Sequence, residues 1–152
     1  MKAMKLATVL VLVAVFGRPV LGEEHATKDA CVAMVKKAVE YVKKEGVEKA
    51  YAVFDKKGGE FTDRDLYIYV QDMSGRTLAH GANAKLIGKD MHDAQDVDGK
   101  YYVRERLALA SKQSAFWQDY KFSNPMTKKV EFKQAYCERL GETLVCSGVY
   151  KQ

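Results

Sequence analysis

The apolar positions of this chain recur with a helical period between residues 24 and 54, and mainly with a period of two from residue 66 onward. A long helix is predicted for residues 24–45 and a shorter one for residues 47–54, with Gly46 as the stop between them. The apolar stripe of the long helix consists of Cys31, Val35, Val39 and Val42. We therefore expect one face of this helix to pack on the rest of the fold.

The period of two is typical of strands. Leu66, Ile68 and Val70 face one way, and the side chains between them face the other. A turn at residues 73–75 leads to a returning strand at residues 77–81. The other predicted elements are a polar loop at 82–99, a helix at 101–111, a strand at 115–122 and a last hairpin of strands 130–139 and 143–150. About five strands joined mostly by hairpins, with a long helix against one face, predict an α+β domain built on an antiparallel sheet.

The first 22 residues have the pattern of a secretory signal peptide. Lys2 and Lys5 precede an apolar run at residues 6–16, and Val20 and Gly22 suit the −3 and −1 positions of a cleavage site. The run is short, because a membrane-spanning helix needs roughly 20 residues. We predict a cleaved signal peptide over residues 1–22, export to the periplasm or the outside, and a single domain over 23–152. An uncleaved anchor is the alternative.

The net charge of the chain gives no sign of a nucleic-acid partner. The full sequence carries a formal charge of +5, but residues 1–22 contain three basic and no acidic side chains, so the mature chain carries +2. The remaining Lys and Arg residues show no cluster of the kind that binds nucleic acid, so we expect no nucleic-acid partner. A mature chain of about 130 residues suits one domain with one core.

Two of the three cysteines flank the last predicted hairpin. If Gly141 and Glu142 form a two-residue turn, Cys137 faces Cys146 in a non-hydrogen-bonded pair, where facing Cα atoms are closest. An exported chain allows a disulfide between them. Two buried free thiols are the alternative. Cys31 is then left over as a small apolar residue on the first helix.

Nine short segments occur along the chain in a recognisable order. They are residues 30–46, 61–69, 79–81, 86–90, 96–100, 117–120, 124–128, 133–136 and 148–150. Together they resemble the single Cache domain family, whose members are mostly the sensing parts of chemoreceptors and histidine kinases. The resemblance implies a long helix packed on a PAS-like antiparallel sheet, and non-covalent binding of a small molecule, often a short organic acid, on one side of the sheet. We expect a free-standing exported member.

Two basic side chains are the first candidate ligand contacts. His80 ends the second strand of the first hairpin and could donate a hydrogen bond to a ligand carboxylate or carbonyl, a role that the family resemblance favours. The alternative role for His80 is to hold the following loop through a backbone hydrogen bond. Lys133 lies on an otherwise apolar strand, and if it points inward it needs an anion. The alternative for Lys133 is a solvated side chain.

Aromatic side chains are the other candidates. Tyr69, Trp117, Tyr120 and Tyr136 could form the walls of a small-ligand site, but they are also ordinary core residues. Strand alternation places Lys133 and Tyr136 on opposite faces, and Trp117 and Tyr120 likewise. A regular sheet therefore brings at most one member of each pair into the same pocket.

The sequence favours a binding protein over an enzyme. It contains no HExxH, GxSxG, CxxC or phosphate-binding loop motif, and we expect no catalytic residues, metal or cofactor. Our main hypothesis is an exported sensor domain that binds a short organic acid and relays its occupancy to a membrane receptor or histidine kinase. The alternative hypothesis is a docking protein without a ligand of its own. In that case the long helix is the docking or dimerising element, and a homodimer is expected.

Overall fold

The computed structural model of the protein describes residues 25–151. The predicted signal peptide at residues 1–22 lies outside this part of the chain. Within the described residues, no helix is both long enough and apolar enough to cross a membrane.

The helices lie close to where the apolar periodicity predicts them. Helix α1 spans Lys28–Glu45, α2 spans Val47–Phe54 and α3 spans Tyr102–Ala110. Helix α1 begins later than predicted because the side chain of Thr27 accepts a hydrogen bond from its first turn. It ends at Gly46, whose φ of 85° lies in the left-handed region that glycine adopts without strain.

Between residues 25 and 151, seven strands form two antiparallel sheets. The strands are β1 Thr62–Asp63, β2 Leu66–Tyr67, β3 Tyr69–Asp72, β4 Thr77–His80, β5 Ala115–Ser123, β6 Val130–Leu140 and β7 Thr143–Lys151. The first two form a small ladder, and the others form a five-stranded sheet in the order β4-β3-β7-β6-β5. The polar loop contains one short 3-10 helix, Ala84–Leu86. The predicted fold class, an α+β domain with a helix on a five-stranded antiparallel sheet, is confirmed.

The two faces of the sheet have different coverings. Helices α1 and α2 pack on one face, where Ile68 and Val70 meet Val35 and Phe54 in the main core. The opposite face carries the side chains of alternate positions such as Tyr67, and it is covered by α3 and the loop that precedes it. The predicted alternation along residues 66–71 is therefore confirmed. The alternation also determines which side chains point away from α1 and α2 and can form a site on the opposite face.

The last hairpin has the predicted register. Leu140 pairs with Thr143 across the two-residue turn, and Cys137 pairs with Cys146. The two cysteine Cα atoms lie 4.2 Å apart, and their sulfur atoms are joined in a disulfide. This disulfide lies on the face opposite α1. Cys31 is a buried free thiol whose pKa is raised to about 11 by burial, so it is unreactive at neutral pH.

Candidate ligand-binding site

A small cavity lies on the sheet face that points away from α1. Its principal lining side chains are Tyr67, Tyr69, His80, Tyr102, Arg106, Tyr120 and Phe122. The strands supply His80, Phe122 and three of the tyrosines (Tyr67, Tyr69 and Tyr120) by alternation, and α3 supplies Tyr102 and Arg106 from above. The cavity volume is about 20 Å³, far below the roughly 300–1,000 Å³ of sites for drug-sized ligands. A space of this size holds about one water molecule, so a ligand of four to six heavy atoms is accommodated only when the side chains around the cavity move apart.

The loop between β4 and α3 closes the cavity. Its backbone runs beside β4, because Gly88 donates a hydrogen bond to the Thr77 carbonyl at 2.8 Å and Thr77 donates to the Lys89 carbonyl at 3.0 Å. Two apolar side chains of this loop, Leu86 and Met91, line the cavity. The site is thus shielded from water by a segment that is fixed to the edge strand.

Lys133 lies directly behind the tyrosine wall. Its side chain is fully buried, and its Nζ donates a hydrogen bond of 2.7 Å to the hydroxyl of Tyr67. The Nζ atom lies 4.2 Å from the ring centroid of Tyr67, 4.9 Å from that of Tyr69 and 5.0 Å from that of Tyr150. Contacts between a desolvated cation and ring faces are stabilising by about 2 kcal/mol. Burial nonetheless lowers the pKa of Lys133.

The position of Lys133 depends on a glycine on the neighbouring strand. Strand β7 pairs Tyr150 with Lys133 and Gly148 with Ala135. The lysine stem crosses β7 over Gly148, where an added Cβ would lie only 2.5 Å from Lys133 Cε. The missing side chain at Gly148 therefore lets the ammonium group reach Tyr67.

Arg106 is a second buried cation, and it lines the cavity directly. Its side chain is only 1% exposed. Its Nε donates to Gln118 Oε1 at 3.1 Å, and its Nη1 donates to Gln71 Oε1. Its Nη2 has no hydrogen-bond partner among residues 25–151. The guanidinium carbon lies 5.1 Å from the ring centroid of Tyr69 and 5.2 Å from that of Tyr120.

The prediction from sequence did not include Arg106, although its helical position contained the signal. It follows Val103 by three residues and precedes Ala110 by four, and both of those apolar residues are buried. Residues at these spacings share one helix face. The two amide partners of Arg106, Gln71 and Gln118, were missed because a glutamine on a strand is usually solvated.

Among residues 25–151, the two buried cations, Lys133 and Arg106, have no carboxylate partner. The hydroxyl of Tyr120 lies 3.2 Å from that of Tyr69, close to both cations. Burial pushes the pKa of Tyr120 up, but the charges of Lys133 and Arg106 outweigh it and hold that pKa below its ordinary value. The cluster has an excess of positive charge, which is unfavourable in a buried site unless an anion binds.

His80 stands at the edge of the cavity in its neutral form. Burial, helped by the charge of Lys133, lowers the pKa of His80 to about 3. Its Nδ1 accepts hydrogen bonds from the backbone N–H groups of Ala82 at 3.3 Å and Asn83 at 3.0 Å. The loop-holding role weighed for His80 is therefore present in the structure. The same bonds leave the ring proton on Nε2, where it is available as a donor to a ligand.

Two of the predicted ligand contacts, Trp117 and Tyr136, lie on the other face of the sheet. Their ring centroids are 5.2 Å apart, and both rings pack with the core beneath α1. Strand alternation is the reason, since Trp117 precedes Tyr120 by three positions on β5 and Tyr136 follows Lys133 by three on β6. We correct the candidate site by removing both residues.

The structure brings the other four predicted residues together. His80, Tyr69 and Tyr120 line the cavity, and Lys133 lies behind them. Contact of any of these residues with a ligand remains a prediction.

Residues 30–150 match the family model described as Single Cache domain 2, and the chain belongs to this family. A curated relative is the methyl-accepting chemotaxis protein McpP of Pseudomonas putida. It is 30% identical over 90 residues, which make up 58% of this chain and 16% of McpP. The chain thus spans about one sixth of the length of that receptor.

Solved structures show the same fold. A methyl-accepting chemotaxis protein from Vibrio parahaemolyticus superposes with a TM-score of 0.70 at 18% identity, over 81% of this chain and 87% of that one. A Cache chemosensory domain studied for its recognition of carboxylic acids gives a TM-score of 0.63 at 18% identity, over 82% and 88% of the chains. The periplasmic sensor domain of a chemotaxis protein gives 0.62 at 20% identity, over 82% and 90%.

Proposed function

We propose that this domain binds a small organic anion, in the first place a short carboxylate, without covalent chemistry. The observation that carries the proposal is the pair of buried cations, Lys133 and Arg106, around one cavity without a carboxylate partner within the described chain. A bound carboxylate supplies the missing negative charge and accepts from the free Nη2 of Arg106. Binding in this site is stabilised by charge-assisted hydrogen bonds that water does not compete for.

The other side chains that line the cavity suit the alkyl part of a short carboxylic acid. The rings of Tyr69, Tyr102 and Phe122 offer apolar surface to an alkyl group. His80 Nε2–H is a second donor, directed by the backbone bonds to its Nδ1. A ligand of four to six heavy atoms gains at most about 1.5 kcal/mol per atom, roughly 6–9 kcal/mol in total. The tightest dissociation constant that this ceiling allows is therefore tens of micromolar for four heavy atoms and about 0.2 µM for six.

The similarities support a sensory role. McpP is a chemotaxis receptor, and one of the solved Cache domains recognises carboxylic acids. We propose by analogy that residues 1–22 direct export and that the domain works outside the cytoplasm. Its ligand occupancy is relayed to a membrane receptor or histidine kinase. The role is that of a binding domain, and no enzymatic step is assigned to it.

A thermal-shift screen followed by calorimetry tests the proposal. The purified protein is screened with acetate, propionate, lactate and pyruvate, and with propionamide as an uncharged analogue. An acid at 100 times its dissociation constant stabilises the protein by about 2.7 kcal/mol, which is several degrees for a domain of this size. We expect one acid class to bind, propionamide not to bind, and Arg106→Met to abolish binding. A screen in which every acid fails contradicts the proposal and favours the docking hypothesis.

A further inference from the structure

A wide groove lies just outside the ligand cavity. It has a volume of about 460 Å³ and shares four wall residues with the cavity: Tyr67, His80, Leu86 and Phe122. The ring centroids of His80 and Phe122 lie 6.5 Å apart. The two spaces are thus separated by a single layer of side chains.

The groove is rimmed by lysines. Lys57, Lys85 and Lys128 line it, and all three are exposed. None of them forms an ion pair with a carboxylate within residues 25–151. The neighbouring part of the groove adds Asp63, but this carboxylate is 2.9 Å from Arg64 Nη2 and is therefore compensated. As far as the structure describes the chain, the groove as a whole therefore presents an excess of positive charge.

We propose that this groove is the entrance through which a carboxylate reaches the buried cations, and that its three lysines steer anions into it. The inference rests on the proposed function. A concave surface of one charge sign focuses the electric field and raises the local concentration of oppositely charged ligands, with gains in association rate of about 10 to 1,000-fold. Because the lysines lie outside the ring layer, they attract the ligand without holding it once it is bound.

Stopped-flow measurements of propionate binding, followed by tyrosine fluorescence, test this role. The variant K57Q/K85Q/K128Q should lower the association rate constant roughly tenfold at low salt and leave the dissociation rate constant unchanged. Its association rate should also depend less on ionic strength. The control K36Q/K44Q/K112Q removes the same net charge from exposed lysines that do not line the groove, and it should behave like the wild type.

A second variant narrows the passage itself. Ala82 lines the groove next to His80, so Ala82→Phe should slow association and dissociation by the same factor and leave the equilibrium affinity unchanged. If the association and dissociation rates are unchanged in both groove variants, the proposal that the groove is the entrance is overturned. A faster dissociation in the lysine variant also overturns it, because the lysines would then hold the bound ligand. Wild-type protein that does not bind propionate in calorimetry overturns the inference together with the proposed function for this acid.

Discussion

Lys133→Met removes one of the two buried cations and leaves most of the apolar stem in place. If a large core side chain only stabilises the fold, its truncation typically lowers the free energy of unfolding of the protein by about 2–5 kcal/mol. Lys133 is different, because its charge is fully buried and the described chain offers it no carboxylate. The substitution therefore separates a binding role from a structural one.

The magnitude follows from the contacts of the ammonium group. Burying a lone charge costs several kcal/mol even after relaxation. The hydrogen bond to Tyr67 returns about 1.5–3 kcal/mol, and the ring contacts return about 2 kcal/mol. Tyr67 keeps a partner in the variant, since its hydroxyl lies 3.1 Å from that of Tyr150. We expect Lys133→Met to leave the unliganded protein as stable as the wild type or more stable by about 1–2 kcal/mol.

The assay combines urea unfolding with calorimetry. The variant should unfold at the same or a higher urea concentration and lose carboxylate binding by at least tenfold. Lys129→Met, an exposed neighbour on the preceding turn, is the matched control and should change neither quantity. Destabilisation of Lys133→Met by more than about 1 kcal/mol with intact binding would refute the reasoning, because the lysine would then act as a structural residue.

The pH dependence of stability gives an independent check on Lys133. Its pKa is lowered in the folded protein, while the unfolded chain keeps this proton up to about pH 10.4. The unfolded state therefore binds more protons in the window below that value, and stability rises with pH there. The wild type and the variant should be compared at each pH, since the raised pKa values of the buried Cys31 and Tyr67 act in the opposite direction in both proteins, above about pH 8.5 and pH 10. Lys133→Met should lack the rise.

Three further predictions concern other residues of the fold. Because the pKa of His80 is about 3 in the folded protein and near 6.5 when unfolded, wild-type stability should fall by about 2.3 kcal/mol between pH 6.5 and 4.5. His80→Asn retains an acceptor near Nδ1 and should show a smaller fall of stability in urea unfolding. An equal fall would show that groups other than His80 cause it. Gly148→Ala should destabilise the domain by about 1–3 kcal/mol and weaken acid binding, since its Cβ would displace Lys133; unchanged binding by calorimetry would contradict this. Reduction of the Cys137–Cys146 disulfide should lower stability by about 2–3 kcal/mol, and an unchanged urea midpoint with dithiothreitol would show that it contributes nothing.

Local patterns in the sequence were enough to predict most of the fold. Alternation placed Ile68 and Val70 under the helix and Tyr69 on the opposite face, because the side-chain period of a strand is fixed. The turn geometry of the last hairpin likewise set Cys137 opposite Cys146. These features depend on residues close in sequence, so no knowledge of the tertiary arrangement was needed.

The site was predicted less completely, because it depends on contacts between distant elements. Arg106 reaches the cavity only because α3 packs over the middle of β5, which the sequence does not specify. The position of Lys133 behind the tyrosine layer depends on Gly148 of another strand. Trp117 and Tyr136 were plausible as aromatic walls, and their alternation relative to Tyr120 and Lys133 already argued that they belong to the other face.

A crystal structure of the protein with the tightest-binding short carboxylate tests the central claim most directly. We predict electron density for the acid in the cavity, with a carboxylate oxygen about 2.7–2.9 Å from Nη2 of Arg106, as expected for a charge-assisted hydrogen bond. The alkyl group should lie against the rings of Tyr69 and Phe122. A carboxylate bound elsewhere on the domain, with the cavity unchanged and Arg106 Nη2 still without a partner, would contradict the account.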